Sequence, residues 1–531
     1  NLDHKIRKII AFVILAIMPA ISFVLVEMLN ANSIANKILA AYFINYIIYL
    51  VIYIFFYAIT NRLRFAVLFA NTIIFILAII NFYKLEFRGE PLSLLDAVSI
   101  KTAFNVAGEY EFKIKYMLIM TACLFLLVIA IVSRFRYKTR PLVSRLILAT
   151  ISVAFGALLV FALFDTDRYS ASKNSIMKKL GIVNNVWNQP LNYTDNGMIV
   201  AITMNAQYLT VNPPSVYTLE NLENVTADIY NNYGTNMLTG QKLTETQRLK
   251  IHSGKLPNII CIMDESYSDF SQFGDIEFTR EYSPFLDSLN DNPNFIRGDL
   301  FVSTYGGGTA NSEFEFLTGN SMLGMPRGSI PYQQYIDSET GSISRTLHNL
   351  GYRTIAVHPY LGSGWNRPAV YEAMAFDEFL DQEAFEDPEY IRSYISDESS
   401  FDKIIELYED NRANGEGQPL FVFNVTMQNH GSYTKSYDNF EPDVFIASDP
   451  GVYTEAEQYF SVARNTDTAI RDLVSYFAEC GEPTVICFFG DHLPSFHDGF
   501  YENALGVSDT ANCTPDQMQK LYMTDFFVWA N

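Results

Sequence analysis

Ser303-Thr-Tyr-Gly-Gly-Gly-Thr-Ala-Asn-Ser-Glu-Phe-Glu-Phe-Leu-Thr-Gly319 is the stretch on which the interpretation of the chain depends. Three consecutive glycines precede Thr309 and can take backbone angles that are closed to other residues. Residues 312–317 have the pattern of the first turns of a helix, so Thr309 is predicted at or just before a helix N-terminus. Such a position favours a phosphate, and a hydroxyl there can act as a nucleophile if a metal or base lowers its pKa. Taken alone, the stretch fits a plain glycine turn followed by a capped helix better than it fits a site with a nucleophilic threonine. The choice between the two depends on the rest of the chain.

The 531-residue chain has two halves of different composition. Up to about residue 165 it is largely apolar, and after that it is rich in Asp, Glu, Asn, Tyr and Gly. Most of the net charge of -21 lies in the second half, which argues against a nucleic-acid partner because such a partner needs a basic face. The five cysteines show no zinc-type pair. Cys480 and Cys513 could form a disulfide outside the cell, and their spacing does not decide it.

The first half contains five apolar runs that are long enough to cross a bilayer. A secretory signal peptide would explain only the first run, so the pattern predicts a membrane domain of five spanning helices. The predicted spans are residues 9–29, 38–59, 65–82, 116–132 and 146–164.

Basic residues mark alternate loops of this domain. They occur in His4-Lys-Ile-Arg-Lys8, at Arg62 and Arg64, and repeatedly over residues 134–140. Because basic loops stay in the cytoplasm, the N-terminus is predicted inside and everything after Asp165 outside the cell. We therefore expect a five-span domain over residues 1–165, a helical linker over 166–254 and an extracellular domain over 255–531.

The two ends of the chain suggest a piece of a longer protein. It starts at Asn1 without Met, and it stops at Asn531 inside a strand-like run. We expect the outer domain to be truncated at its C-terminus.

The second half alternates short apolar strands with helices from about residue 256 onward. Continuous apolar strands separated by helices indicate an α/β domain with a mostly parallel sheet that is covered on both faces. In such sheets the functional site lies beyond the carboxyl ends of the strands. Predicted strands are residues 258–263, 353–358, 420–425, 484–489 and 526–530, and predicted helices are 283–289, 343–350, 401–413 and 454–480.

The residues that follow these strands are chemically related. Carboxylate and hydroxyl oxygens with one imidazole suit Mn²⁺, Mg²⁺ or Zn²⁺, and such an ion would favour the Thr309 alkoxide and neutralise a bound phosphate. The candidate metal ligands are Glu265, Thr309, Asp491 and His492, with Thr309 also the candidate nucleophile. The candidate substrate-binding residues are His358, Trp365, Arg367 and His430, and Arg367 is predicted to hold phosphate through two parallel hydrogen bonds.

Each of these residues has a simpler explanation when taken singly. A carboxylate after a strand is usually solvated, and a histidine such as His358 is often structural. The joint occurrence of the set at strand ends is what favours a catalytic site.

The chain resembles the lipoteichoic acid synthase family, membrane phosphoglycerol transferases of the alkaline phosphatase and sulfatase superfamily. The resemblance covers nearly the whole chain, and its motifs are Met263-Asp-Glu-Ser266, Gly306-Gly-Gly-Thr-Ala-Asn-Ser-Glu-Phe314, Gly364-Trp-Asn-Arg367, Met427-Gln-Asn-His430 and Gly490-Asp-His492.

The resemblance implies a five-span membrane protein with an extracellular sulfatase-like domain that acts in lipoteichoic acid synthesis and cell wall biogenesis. It implies Mn²⁺ bound by Glu265, Thr309, Asp491 and His492. It also implies that Thr309 attacks phosphatidylglycerol, releases diacylglycerol and passes glycerol phosphate to a growing polymer or a glycolipid. The chain departs from the family between His358 and Trp365, where it has Tyr360-Leu-Gly-Ser363.

Because of that departure, transfer of phosphoglycerol or phosphoethanolamine to another surface glycan or glucan stays open as an alternative. A true sulfatase needs a Cys or Ser nucleophile that is converted to formylglycine, which the sequence after Gly308 does not supply. A non-catalytic sensor or scaffold would have lost Thr309 or a metal ligand, and neither is lost. A transporter is disfavoured because the spans show no pattern of buried charges.

Overall fold

The structure is a computed structural model of the chain, and it divides into two compact units that are described separately. The membrane unit comprises residues 1–100, 111–211 and 325–329, and the sheet unit comprises residues 101–110, 212–324 and 330–531. The structure describes residues 2–32, 34, 37–88, 91–97, 112–135, 137, 141–163, 179–182, 189–209, 218, 220–221, 256–325, 328–414 and 417–531.

The membrane unit confirms the five predicted spans. Five of its helices are long and apolar enough to cross a membrane, and their outer surfaces expose large apolar side chains such as Phe12, Leu39 and Phe161. Two short helices follow the last span. The helices are α1 (Leu2–Leu29), α2 (Leu39–Thr60), α3 (Leu63–Arg88), α4 (Tyr116–Ser133), α5 (Leu142–Leu163), α6 (Gln189–Asn196) and α7 (Met198–Asn205).

Buried polar contacts join α6 and α7 to the first spans. Glu27 of α1 pairs with Lys37 at 3.1 Å, with both side chains fully buried. A second oxygen of Glu27 accepts a hydrogen bond from the backbone N–H of Met198 at 3.0 Å. Buried charges are retained only where they are paired and hydrogen-bonded, so these contacts position α7. The predicted helical linker over residues 166–254 lies largely outside the described residues, and the part that is described is helical over α6 and α7.

The sheet unit contains a mostly parallel seven-stranded sheet, which confirms the predicted fold class. The strand order is β2-β9-β8-β1-β7-β3-β4, in which β8, β1, β7, β3 and β4 are parallel and β9 is antiparallel to both of its neighbours. A separate hairpin joins β5 to β6. The strands are β1 (Asn258–Asp264), β2 (Phe295–Phe301), β3 (Arg353–Val357), β4 (Glu378–Leu380), β5 (Tyr390–Ile391), β6 (Tyr394–Ile395), β7 (Leu420–Val425), β8 (Thr484–Gly490) and β9 (Met523–Ala530).

Helices cover both faces of this sheet. On one face, Ile260 and Ile262 of β1 belong to a core that also contains the apolar stripe of the 26-residue helix α14. On the other face, the Phe316 ring of α9 lies 4.6 Å from Phe489 and 5.6 Å from Phe423. The helices are α8 (Pro284–Ser288), α9 (Thr309–Thr318), α10 (Pro331–Gln334), α11 (Ile343–Asn349), α12 (Arg367–Ala373), α13 (Asp397–Asn414), α14 (Thr454–Glu479), α15 (Phe500–Leu505) and α16 (Pro515–Lys520).

The register of the central strands brings their carboxyl ends together. Met263 of β1 lies between Val425 of β7 and Phe489 of β8, so the residues that follow all three strands leave the sheet at one edge. All five cysteines are free thiols, including Cys480 and Cys513.

Candidate functional site

Thr309 is the first residue of α9 and lies at the sheet edge. Gly308 has φ +102°, and a Cβ there would meet Thr304 Cγ2 at 2.9 Å, so the turn requires glycine. The backbone N–H of Gly306 donates to the Leu493 carbonyl at 3.0 Å, which ties the glycine turn to the segment that follows β8. Thr309 is 8% exposed as a residue, and its hydroxyl donates to Glu265 Oε2 at 3.4 Å.

Three predicted metal ligands form a cluster beside Thr309. One ligand atom each from Glu265, Asp491 and His492 lies within 4.8 Å of the others, and all three residues are buried. His492 Nε2 is 3.2 Å from Asp491 Oδ2 and 3.7 Å from Glu265 Oε1. The structure thus brings together the four residues that the sequence placed at one site.

The hydrogen bonds around this cluster leave specific atoms available for a cation. Asp491 Oδ1 accepts from the backbone N–H groups of Ser266 and His492, each at 2.8 Å. His492 Nδ1 lies 3.0 Å from the Leu493 carbonyl and donates to it, so the lone pair of the ring is on Nε2. Asp491 Oδ2 and His492 Nε2 are buried without a hydrogen-bond partner among the described residues. Buried polar atoms are rarely left in that state, so the residues fit a bound divalent cation.

The charges of the cluster support the same fit. Burial and the nearby Glu265 carboxylate raise the pKa of Asp491 to about 7. Burial opposes ionisation of Glu265, but the imidazoles of His430 and His492 and hydrogen bonds from Ser266 and Thr309 hold its pKa below the usual range. Two carboxylates that repel each other in a buried site gain most from a shared positive charge.

Arg367 has a partner that the sequence analysis did not identify. Its Nε and Nη2 donate to Glu313 Oε1 at 3.0 and 2.6 Å, and both side chains are almost fully buried. Tyr371 donates to the other oxygen of Glu313 at 2.6 Å. Two nitrogens of the Arg367 guanidinium thus bind Glu313, and the contact of Arg367 with a phosphate stays a prediction.

That remaining nitrogen faces His358. Arg367 Nη1 lies 3.1 Å from His358 Nε2, and His358 Nδ1 lies 2.9 Å from the Val425 carbonyl. With Nδ1–H donating to the carbonyl, Nε2 accepts from Arg367 and the ring is neutral. Burial and the adjacent guanidinium hold the pKa of His358 well below its usual value. His358 therefore fixes the position of Arg367.

His430 and Trp365 complete the predicted set. His430 Nδ1 lies 2.6 Å from the Gly431 carbonyl and 3.1 Å from the Tyr394 hydroxyl, which orients the ring. The Arg392 guanidinium donates to the His430 carbonyl at 2.8 Å. Trp365 is half-buried, with φ +55°, on the 3-10 turn Gly364–Asn366 that leads into α12. Substrate contacts for these residues stay predictions.

Three residues that were not predicted from the sequence form hydrogen bonds with the predicted site residues. Glu313 holds Arg367, Ser266 donates to Asp491 and Glu265, and Tyr394 contacts His430. One signal was available, because Glu313 lies four residues after Thr309 on the predicted helix and a buried arginine needs a carboxylate.

Comparison with known proteins identifies the family. The sulfatase family profile matches residues 257–531, more than half of the chain, and the chain belongs to the sulfatase family. A Rhizobium meliloti (strain 1021) protein named for cyclic β-1,2-glucan modification is 30% identical over 411 residues, which cover 76% of this chain and 59% of that protein. Lipoteichoic acid synthase of Staphylococcus saprophyticus is 27% identical over 297 residues, 55% of this chain and 44% of that protein.

The resemblance to lipoteichoic acid synthases is thereby confirmed, although the chain spans only about half the length of these curated relatives. Among solved structures, the Streptococcus pyogenes phosphoglycerol transferase GacH in complex with sn-glycerol-1-phosphate matches with a TM-score of 0.47 and 20% identity. The match covers 60% of this chain and 77% of that one.

Proposed function

We propose that the protein transfers glycerol phosphate from phosphatidylglycerol to a lipoteichoic-acid-type polymer or glycolipid through a covalent intermediate on Thr309. The observation that carries this proposal is the Thr309 hydroxyl, held by Glu265 at a helix N-terminus beside Asp491 and His492. A nucleophile, a cation site and free helix amides around one point are the parts that phosphoryl transfer requires.

Glu265, Thr309, Asp491 and His492 would hold the cation, which we propose to be Mn²⁺, with Mg²⁺ or Zn²⁺ as alternatives. When bound, the cation supplies positive charge that lowers the pKa of the Thr309 hydroxyl and neutralises the phosphate. Glu265 Oε2 orients the hydroxyl toward the substrate.

The proposed substrate contacts come from the remaining residues of the set. Arg367 presents its Nη1 edge to the phosphate, with Glu313 and His358 preventing rotation of the guanidinium. His430 and Trp365 contact the glycerol part of the head group. Positioning and charge neutralisation supply most of the catalysis in such transfers.

A second candidate acceptor has specific support. The relative that covers 76% of this chain is named for modification of a cyclic β-1,2-glucan, whereas the lipoteichoic acid synthase covers 55%. Transfer of phosphoglycerol or phosphoethanolamine to a glucan or another surface glycan is therefore the alternative to a glycerol phosphate polymer.

We also infer that the sheet unit lies outside the cell membrane. The basic ends of alternate spans support this orientation. Labelling of intact cells with a membrane-impermeant maleimide tests it, in a background that carries Cys480→Ser and Cys513→Ser. Lys113→Cys should be labelled above the parent background and Lys8→Cys should not. The reverse pattern would overturn the orientation.

Turnover in lipid vesicles tests the reaction itself. The full chain with Mn²⁺ and phosphatidylglycerol should release diacylglycerol, and Thr309→Ala or Asp491→Asn should reduce the rate by about 10³-fold or more. Thr318→Ala, the same substitution at the other end of α9, is the matched control and should keep the rate.

The same assay separates the alternatives. With phosphatidylglycerol labelled in its head group, a cyclic glucan or a glycerol phosphate polymer is added as acceptor. The acceptor that becomes labelled is the one that the protein uses. Turnover of phosphatidylethanolamine but not phosphatidylglycerol would overturn the proposed donor. Equal rates for Thr309→Ala and the wild type would overturn the nucleophile.

A further inference from the structure

A cavity of 450 Å³ opens at one end of the membrane-spanning helices. It lies between the α2–α3 turn and the first turn of α5, entirely within the membrane unit. By the order of the spans, this end is on the same side as the N-terminus. Its volume falls within the roughly 300–1,000 Å³ of ordinary ligand sites. The lining residues are Thr60, Asn61, Arg62, Phe65, Phe69 and Arg145.

Two arginines give the cavity positive charge. Among the residues that the structure describes, Arg62 and Arg145 form no ion pair with Asp or Glu, although the chain as a whole is strongly acidic. Arg145 donates from Nε to the Ala58 carbonyl at 3.0 Å and from Nη2 to the Ile59 carbonyl. These bonds place the guanidinium at the C-terminus of α2, and Nη1 donates to none of the residues that the structure describes, so a donor is held in place for an anion.

Aromatic rings form the other wall of the cavity. The guanidinium carbon of Arg62 lies 5.6 Å from the centroid of the Phe65 ring, and that of Arg64 lies 4.7 Å from it. Phe69, one turn farther along α3, is 46% exposed. The cationic end of the cavity is thus at the end of the spans, and the apolar wall runs along a helix that crosses the membrane.

This arrangement matches an amphipathic anion. A phospholipid presents a phosphate and an acyl chain at the same two depths, whereas a soluble phosphate matches only the cationic end of the cavity. Basic pockets between membrane helices on the cytoplasmic side bind anionic lipid head groups.

We propose that this cavity binds the phosphate of an anionic phospholipid, with Arg62 and Arg145 contacting the phosphate and Phe65 and Phe69 packing against its acyl chain. The site is separate from the candidate catalytic site, which lies in the sheet unit. The proposal does not depend on the reaction proposed above.

Native mass spectrometry of the full chain, released from mixed micelles of phosphatidic acid and phosphatidylcholine, tests the proposal. Each cation near a membrane surface contributes enough attraction for a roughly fivefold change in affinity. Arg62→Gln should therefore weaken retention of one phosphatidic acid about fivefold, and Arg62→Gln with Arg145→Gln should weaken it about 25-fold. Lipid bound at the candidate catalytic site contributes equally to the retained lipid in every variant, so it does not affect the comparison between them.

Arg134→Gln is the matched control, since it removes the same charge from an exposed residue at the end of α4 on the same side of the membrane. It should retain phosphatidic acid as the wild type does. Arg145 also contacts α2, so thermal unfolding of each variant in phosphatidylcholine alone checks that it folds. Arg62 is exposed, so the Arg62→Gln variant still tests the proposal if Arg145→Gln unfolds.

Equal retention by the wild type and the Arg62→Gln variant would overturn the proposal. So would an equal loss in Arg134→Gln, which would indicate only general surface charge. Displacement of the lipid by millimolar inorganic phosphate or soluble glycerol phosphate would identify a soluble anion as the occupant and would also overturn the lipid assignment.

Discussion

Glu313 is the residue that holds the substrate side of the candidate site in place. It accepts from Arg367 and Tyr371 while fully buried, and Arg367 in turn donates to His358. One carboxylate on α9 thus holds two side chains of α12 directly and, through Arg367, the side chain of His358 at the end of β3. Thr309, the candidate nucleophile, begins the same helix as Glu313, so this contact also relates Thr309 to the proposed phosphate contacts.

Glu313→Gln should be strongly destabilising. Removing one partner of a buried pair leaves an uncompensated charge and costs about 3–5 kcal/mol. We expect a decrease of that size in the free energy of unfolding of the sheet unit within the full chain, measured by tryptophan fluorescence in urea. Glu315→Gln is the matched control on the same helix and should cost about 1 kcal/mol, because it accepts one hydrogen bond from the Met322 N–H. Similar losses in the two variants would contradict the role given to Glu313.

His358 should make stability dependent on pH. Its pKa is held well below its ordinary value of about 6.5 by burial and by Arg367, so the folded state binds its proton less readily than the unfolded state. The contribution of neutral His358 to the stability of the folded state is therefore complete above pH 6.5. It is lost as the pH falls below that value. Between pH 7.5 and 5.5, the wild type should lose about 1.4 kcal/mol more than His358→Gln in urea unfolding. Parallel curves for the two proteins would refute this account.

The positions of the site residues were predictable from sequence, but their partners were not. Glu265, Asp491 and His492 follow buried parallel strands, and parallel strands end at a common edge. Which atoms are already occupied depends on side-chain geometry that no spacing encodes. For that reason the sequence predicted a contact between Arg367 and a phosphate but not the hydrogen bonds that Arg367 donates to Glu313.

Among the elements, the central strands were predicted and the edges of the sheet were not. Strands β1, β7 and β8 are nearly continuous apolar runs, because helices cover both faces of the sheet there. Edge strand β2 reads Phe295-Ile-Arg-Gly-Asp-Leu-Phe301, with a glycine and two charges, and β4 has three residues. Neither shows a continuous apolar run, since one side of each strand faces solvent or loops. The apolar pattern of β9 likewise does not show that this strand runs antiparallel to its neighbours.

Gly490→Ala should separate the elements that form the candidate metal cluster. A Cβ at this last residue of β8 would lie 1.8 Å from the Tyr267 carbonyl oxygen, so the segments after β1 and β8 would have to move apart. Overpacking of this kind costs about 1–3 kcal/mol or more. We expect at least that loss in the free energy of unfolding, together with loss of Mn²⁺ binding by titration calorimetry.

Gly341→Ala is the control for this substitution, because a Cβ there meets no atom within 4 Å. It should change the free energy of unfolding by less than about 0.5 kcal/mol and keep Mn²⁺ binding. Retained Mn²⁺ binding in Gly490→Ala would show that the close approach of the two segments is not needed for the site.

The whole molecule combines five membrane-spanning helices with a sulfatase-family sheet unit in one chain. A soluble phosphate ester would not require such an anchor, whereas a lipid donor and a membrane-attached acceptor would. Under the proposed function, the membrane unit holds the chain at the lipid surface and the sheet unit performs the transfer. Both proposals therefore have to be tested on the full chain in lipid.

The measurement that tests the central claim most directly is detection of the covalent intermediate on Thr309. The full chain in vesicles with Mn²⁺ and head-group-labelled phosphatidylglycerol, without acceptor, would be quenched and digested for mass spectrometry. We predict glycerol phosphate on the peptide that contains Thr309 in the wild type and in Thr318→Ala, and none in Thr309→Ala. Diacylglycerol release by the wild type with label absent from Thr309, or present on another residue, would contradict the account.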